Sequence, residues 1–146
     1  MRSGVRQSVV LLLVALAAPV LCRAEEEPLA KLKERAEAAR GGHRAELFLE
    51  AARREMEAAD TNFTSGDADK AHALVKDAVA DVEKGADAAL KSGQRLKRTE
   101  IEVRRLRHRT QEIRRSLALD DRPQLEQAEK RMDELLQALL KKVFSK

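Results

Sequence analysis

The sequence predicts an all-α protein in which antiparallel helical hairpins pack on a long central helix, as an elongated or coiled-coil-like bundle. Charged residues make up 37% of the chain and aromatic residues 2%, which is typical of long helices rather than of a thick globular core. Apolar residues recur every three or four positions, and no segment alternates with the period of two that indicates a strand.

The first 24 residues have the organisation of a signal peptide. Arg2 and Arg6 precede the apolar run VVLLLVALAAPVL, and Cys22 and Ala24 are small residues where a signal peptidase reads. The run is shorter than the about 20 residues that a transmembrane helix needs. We therefore expect cleavage before Glu25 and export of the mature protein. The expected location is periplasmic or secreted, and a bacterial envelope is favoured. A lipid anchor on Cys22 is the alternative, although the residue before it is not small.

Removal of the signal peptide changes the chemistry open to the protein. The mature chain carries 26 basic and 25 acidic residues and no cysteine, which excludes disulfides and thiolate chemistry. Its length suits one domain. We assign residues 25–42 to a short N-terminal helix with a Gly-Gly linker, and residues 43–146 to a helical bundle domain.

Glycine and proline divide the mature chain into helices. The first predicted helix begins at Pro28 and ends at Gly41-Gly42. A second helix runs from about His43 to Thr64, where the sequence TSGD breaks it. Its predicted apolar stripe consists of Ala45, Phe48, Ala52, Met56, Ala59 and Phe63.

The third predicted helix is the longest, from about Ala68 to Leu119, with Asp67 as its N-cap. Apolar residues repeat every seven positions along it, at Val75, Val82, Ala89, Leu96, Val103, Thr110 and Leu117. Gly85 and Gly93 each cost about 1 kcal/mol in a helix, yet the heptad phase continues across both, which favours one rod. A closed four-helix bundle bent at Ser92-Gly93 is the alternative.

A last helix is predicted from Pro123 to Phe144, with Asp121 as its cap. Its expected buried stripe consists of Leu125, Ala128, Met132, Leu135, Leu139 and Val143. Because the breaks before and after the central helix are short, we expect both outer helices to run antiparallel to it.

The segment FTSGDADKAHALVKDA resembles the turn and second helix of a tetratricopeptide-type hairpin. Phe63, Gly66, Asp67 and Ala71 occupy positions where that family has an aromatic, a glycine, an acid and an alanine. The resemblance covers about residues 52–85 and occurs once. It implies a close-packed helical hairpin with a tight reversal at Gly66. The family's peptide-binding groove needs stacked repeats, so that function is not carried over.

Motifs for catalysis, metal binding or cofactor binding are absent from the sequence. His43, His72 and His108 have no second ligand type at helical spacing, so we expect solvated surface histidines and no metal. There is no Gly-x-Ser-x-Gly turn and no phosphate-binding glycine loop. We predict that the protein is not an enzyme and takes no cofactor or small-molecule substrate.

The segment VRRLRHRTQEIRR, Val103 to Arg115, predicts a basic amphipathic helix opposite an apolar side. Neighbouring glutamates neutralise part of its charge, and an exported protein rarely meets chromosomal DNA, so we expect no nucleic acid. The candidate partner-binding residues are Lys97, Arg98, Arg104, Arg105, Arg109 and Arg115.

The two halves of the mature chain carry opposite charge. Residues 25–93 hold 11 basic and 16 acidic side chains, whereas residues 94–146 hold 15 and 9. Opposite halves could pair in a dimer, the basic face could attract an acidic protein or an anionic envelope surface, or the charges could serve solubility alone. We predict a non-enzymatic exported helical interaction or scaffold protein that binds a protein partner or itself. The alternative is a periplasmic chaperone-like protein that holds unfolded or anionic clients on the basic amphipathic helix.

Overall fold

The computed structural model describes residues 26–145, and these residues form helices and no strand. The helices are α1 (Leu29–Ala38), α2 (Gly41–Ser65), α3 (Ala68–Ser92), α4 (Leu96–Ser116) and α5 (Arg122–Phe144), with a 3-10 turn at Leu119–Asp121. The predicted all-α class is therefore confirmed. The predicted signal peptide and Cys22 lie outside the described residues.

Helices α2 to α5 form a four-helix bundle made of two hairpins. Helix α2 packs against α3 and α4 against α5, while α4 also lies beside α2 and α5 beside α3. Ion pairs follow the same order along α2 and α4, with Glu46 beside Arg98 and Asp60 beside Arg109. Helices α2 and α4 therefore run parallel, which places acidic side chains of the first half alongside basic side chains of the second.

The α2–α3 hairpin is built from small residues and a tight reversal. Gly66 ends α2 with φ +86°, and the Asp67 carboxylate caps α3 by accepting a hydrogen bond of 3.3 Å from the Lys70 amide. Gly85 stays inside α3, as predicted, because the helices approach closely there. A Cβ atom at Gly85 would lie 3.1 Å from the carbonyl oxygen of Ala45.

The predicted continuous helix from Ala68 to Leu119 is wrong, and the bent bundle is correct. Helix α3 ends at Ser92, Gly93 has φ +67°, and α4 begins at Leu96 after three non-helical residues. The bend lets α4 and α5 bury their apolar sides against α2 and α3, and burial contributes about 25 cal/mol per Å² of apolar surface. That gain exceeds the few helical hydrogen bonds lost at the bend.

The Gly41-Gly42 pair is the first turn of α2 rather than a linker after α1. The bend between α3 and α4 packs against it, and the Gly42 amide donates a hydrogen bond of 3.0 Å to the Gln94 side-chain oxygen. A Cβ at Gly42 would lie 2.9 Å from Arg95 side-chain carbons, so only glycine admits this contact without a shift. Two of the three glycine-containing breaks of the sequence, at Gly41-Gly42 and at Gly93, thus meet in space.

The α4–α5 hairpin closes the main core. The predicted stripe of α5 is buried at Leu125, Ala128, Met132 and Leu139, but Leu136 is more buried than the predicted Leu135. The predicted cap is also wrong in detail. The Asp121 side chain does not cap α5, because it lies 3.1 Å from His72 Nε2 of α3.

Helix α1 packs on the side of α2 that faces away from the main core. Together α1 and α2 form a second, smaller core. This second core consists of Leu32, Ala36, Leu47, Phe48 and Ala51. Phe48 was predicted to share one stripe with Ala45 and Met56, yet it faces α1, and Leu49 takes its place in the main core. The sequence pattern missed this because α2 is covered on two sides.

Candidate functional site

Helix α4 turns one side to the bundle core and the other to solvent. Its core side includes Val103, Leu106 and Ile113, all buried. A helix turns 100° per residue, so the side chains opposite these residues form a strip along the outside of α4. We call this strip the outer face, and its members are Lys97, Ile101, Arg104, Arg105, His108, Glu112 and Arg115.

Two of the six predicted partner-binding residues form ion pairs with another helix, although the Arg98 side chain is 70% exposed and that of Arg109 is 44% exposed. Arg98 Nη1 lies 3.1 Å from Glu46 Oε1, and Arg109 Nη2 lies 2.6 Å from Asp60 Oδ2. Both carboxylates belong to α2. These contacts connect the two hairpins, so Arg98 and Arg109 lie at the α2 edge of α4 and not on the outer face.

The other four predicted residues lie together on the outer face. Arg104 pairs with Glu100, and Arg105 Nη1 lies 2.8 Å from Glu102 Oε1, so both arginines have partners on their own helix alone. Lys97 and Arg115 are exposed and form no ion pair between Glu26 and Ser145. Exposed pairs within one helix contribute little and exchange readily. All four cations therefore remain accessible to a partner.

The arginines at the α5 edge of α4 have a different role. Arg107 Nε lies 3.1 Å from Asp133 Oδ1, and Arg114 Nε lies 2.5 Å from Glu129 Oε1. Basic side chains therefore flank the buried apolar side of α4 on both edges and form ion pairs with α2 and α5. The opposite charges of the two halves meet within one chain, without a second subunit.

Sequence reasoning missed two members of the outer face. Ile101 is 39% exposed in the middle of the basic side chains, and His108 Nδ1 lies 3.5 Å from Glu112 Oε1. The signal was present in the spacing, because Ile101 follows Lys97 by four residues and precedes Arg105 by four. An apolar residue at that spacing falls on the polar side of the helix.

Sequence reasoning also missed a group of buried charges beneath α1. The Lys33 ammonium lies 2.6 Å from Glu55 Oε1 and 2.9 Å from Asp81 Oδ2, and the two carboxylates are 1% and 2% exposed. Burial raises the pKa of Glu55 to about 7, helped by the negative charge of Asp81, although the hydrogen bond from Lys33 opposes the rise. The only signal in the sequence was the position of these three residues beside buried apolar neighbours.

The histidines do not gather into a site. His43 and His108 are exposed, as predicted, but His72 is half-buried between the Phe63 ring, 5.1 Å away, and Asp121. Between Glu26 and Ser145 no three His, Cys, Asp or Glu side chains are arranged to hold a metal ion. An open groove of about 580 Å³ between α3 and α5 is lined by apolar, basic and glutamine side chains and by no carboxylate or histidine.

No protein-family model, no curated protein and no solved structure matches this chain. Within residues 26–145, no helix combines the length and the apolar character that crossing a membrane requires.

Proposed function

We propose that this protein is a non-enzymatic, exported helical interaction protein that binds an anionic partner through the outer face of α4. One observation carries the proposal. Within residues 26–145, the exposed cations at positions 97, 104, 105 and 115 have no ion-pair partner on another helix, whereas basic side chains at both edges of the same helix pair with neighbouring helices. These side chains connect α4 to no other helix of the described bundle, so their accumulation on one face favours a contact outside the chain.

The chemistry of the face favours an acidic protein surface or another polyanion. Arg104 and Arg105 offer planar guanidinium groups that bind carboxylates or phosphates with two parallel hydrogen bonds. Ile101 adds an apolar contact at the centre of the face, where a partner would exclude water. The glutamates paired with the arginines are displaced at small cost, because pairs this exposed contribute at most about 1 kcal/mol.

A chaperone-like activity has less support on this surface. Holding unfolded clients requires a contiguous apolar patch of several hundred Å². The large apolar residues exposed between Glu26 and Ser145 are Ile101, Leu119 and Phe144, which lie on α4, in the turn before α5 and at the end of α5. They are distributed over different parts of the bundle, so we favour binding of a folded anionic partner.

The direct test is a charge reversal confined to the outer face. The variant carries Lys97→Glu, Arg104→Glu, Arg105→Glu and Arg115→Glu. A matched control makes the same change in charge on exposed lysines elsewhere, namely Lys70→Glu, Lys76→Glu, Lys130→Glu and Lys141→Glu. Crosslinking in intact cells, followed by affinity capture, measures partner binding, and light scattering of the purified proteins measures molecular mass.

The proposal expects the outer-face variant to lose the captured partner at unchanged molecular mass, while the control keeps it. Equal capture by both variants would show that the face has no partner and serves solubility. A lower mass for the outer-face variant alone would show that the partner is a second copy of the chain. Export is tested separately by the mass of the N-terminal peptide, which should begin at Glu25 in protein recovered outside the cytoplasm.

A further inference from the structure

The surface beneath α1 has the properties of a binding site that α1 occupies. Helix α1 contributes nothing to the main core, which α2 to α5 form among themselves. It covers Leu47, Phe48 and Ala51 of α2 with two apolar side chains, Leu32 and Ala36. Removal of α1 would leave an apolar strip on an otherwise complete four-helix bundle.

Two buried carboxylates lie beside this apolar strip, on different helices. Glu55 of α2 and Asp81 of α3 both approach the single ammonium of Lys33, which α1 extends between them. The two buried carboxyl groups share one cation, so the group is electrically balanced only when Glu55 takes up a proton, in keeping with its raised pKa. A buried charge without a full complement of partners is costly, so the cavity favours a ligand that supplies more hydrogen bonds than one lysine.

The acceptor geometry shows where the extra hydrogen bond belongs. The Glu55 carboxylate uses Oε1 for Lys33, while Oε2 is buried and has no hydrogen-bond partner among the described residues. An ammonium is a single point of charge and reaches one oxygen of each carboxylate. A guanidinium presents five N–H donors in a fixed plane and can bond both oxygens of one carboxylate while facing a second.

We propose that the surface of α2 and α3 beneath α1, formed by Leu47, Phe48, Ala51, Glu55 and Asp81, is a docking site for an amphipathic helix of a partner protein that carries arginine at the position of Lys33. Helix α1 is the built-in competitor for this site. The occupant has the pattern of α1, with apolar residues at the positions of Leu32 and Ala36 and the cation between them. Charge complementarity selects the arginine.

The remaining contacts of α1 are peripheral, which is consistent with release. Glu37 pairs with Lys84 at 2.7 Å and with Arg44 at 2.8 Å, and these side chains are about half exposed on average. Arg54 donates to the Glu27 carbonyl ahead of α1. The ion pairs of Glu37 contribute little to the free energy of docking, because their side chains are partly exposed, whereas Arg44 also donates a part-buried hydrogen bond to the Ala36 carbonyl of α1. A joint of two extended residues, Ala39 and Arg40, connects α1 to α2, and a tether this short gives α1 a high effective concentration at the site.

The test uses the full chain with α1 released by Leu32→Asp, because a tethered α1 would outcompete any free peptide. The probes are synthetic peptides of residues 26–40 with the native sequence, with Lys33→Arg or with Lys33→Glu. We expect the native peptide to bind the released chain and the Lys33→Glu peptide not to bind. The Lys33→Arg peptide should bind about tenfold more tightly than the native peptide, because one additional hydrogen bond to a charged group has about that effect on affinity. Isothermal calorimetry gives the affinities, and circular dichroism reports whether α2 to α5 stay folded.

A second variant tests whether the carboxylates select the cation. In the released chain, Glu55→Gln with Asp81→Asn should abolish the preference for arginine over glutamate while the apolar strip is unchanged. The proposal is overturned if the folded, released chain binds no peptide, if the three peptides bind equally, or if Leu32→Asp unfolds the whole bundle and thereby shows that α1 is an obligatory part of the core. None of these measurements involves the outer face of α4, so each proposal can fail alone.

Discussion

The group of charges beneath α1 and the outer face of α4 contain the same kinds of side chain in opposite environments. Under α1, Lys33 holds two carboxylates that are almost completely buried. On α4, Arg105 and Glu102 form a pair with 71% and 35% of their side chains exposed. A close approach of opposite charges is found in both places, so distance alone does not distinguish them.

Burial decides what each set of charges can do. The Coulomb energy of a pair at fixed distance rises about fourfold when the effective dielectric constant falls from 80 to 20, and the cost of an unpaired charge rises with it. The buried group therefore connects three helices and shifts the pKa of Glu55, whereas the exposed pairs can be exchanged for a partner at little cost.

Removing the buried cation should have the largest effect on stability. Lys33→Met leaves Glu55 and Asp81 facing each other without a counter-charge, and we expect a loss of about 3 kcal/mol in the free energy of unfolding. The control Lys97→Met removes an exposed cation of the outer face and should cost less than about 0.5 kcal/mol. Urea denaturation measures both, and similar losses would contradict the comparison.

The buried carboxylate should make stability depend on pH near neutrality. Glu55 faces Lys33 from α1 and Asp81 from α3, and burial raises its pKa from 4.5 to about 7. A raised pKa favours the protonated folded state, so this contribution to stability is complete below about pH 4.5 and is lost as pH rises through 7.

Comparison with a neutral side chain isolates this dependence. The stability of the native chain relative to Glu55→Gln should fall by on the order of 1 to 3 kcal/mol between pH 5 and pH 8. Denaturation at several pH values measures the stability of the native chain relative to Glu55→Gln. A relative stability that rises with pH would contradict the prediction.

Added salt should distinguish the partly exposed ion pairs of α4 from the buried group beneath α1, with an effect of intermediate size. Arg109 pairs with Asp60 at a partly exposed edge of α4, so Arg109→Gln should cost up to about 1 kcal/mol at low salt. The cost should shrink in 0.5 M NaCl, where screening acts over roughly 4 to 5 Å. The cost of Lys33→Met should shrink less, because the two carboxylates are almost completely buried and only the Lys33 side chain, which is 32% exposed, is open to screening. An equal response of both variants to salt would remove the distinction.

The smallest effect on stability is expected at the centre of the outer face. Ile101→Ser should change the free energy of unfolding by less than about 0.5 kcal/mol, because the isoleucine is already exposed. It should nevertheless weaken partner capture, since the apolar contact at the centre of an interface is lost. Buried Val103 is the matched comparison, and Val103→Ser should destabilise the bundle by several-fold more.

Part of the candidate site could be predicted from the sequence. The helical period correctly placed Lys97, Arg104 and Arg115 on one exposed side of α4, because the rotation per residue is a local property. The engagement of Arg98 and Arg109 with α2 could not be predicted. Those pairs depend on which helix lies beside α4, and that depends on the bend at Gly93.

The buried charges beneath α1 were beyond sequence reasoning for a related reason. Carboxylates and lysines are so frequent in this chain that no particular combination stands out. Glu55 and Asp81 meet only because α2 and α3 pack at close range, and Lys33 reaches them only because α1 folds back on α2. These are contacts between residues 22 to 48 positions apart in the chain.

Local sequence preferences account for the helical class, the reversal at Gly66, the cap at Asp67 and most of the buried positions. Each of these depends on local backbone preference or on the period of one helix. Only the tertiary structure decided between a rod and a bent bundle, because Ala89 and Leu96 keep the heptad phase in both. A glycine at the bend permits either conformation at a cost of about 1 kcal/mol, and the apolar surface that two hairpins bury against each other determines which one forms.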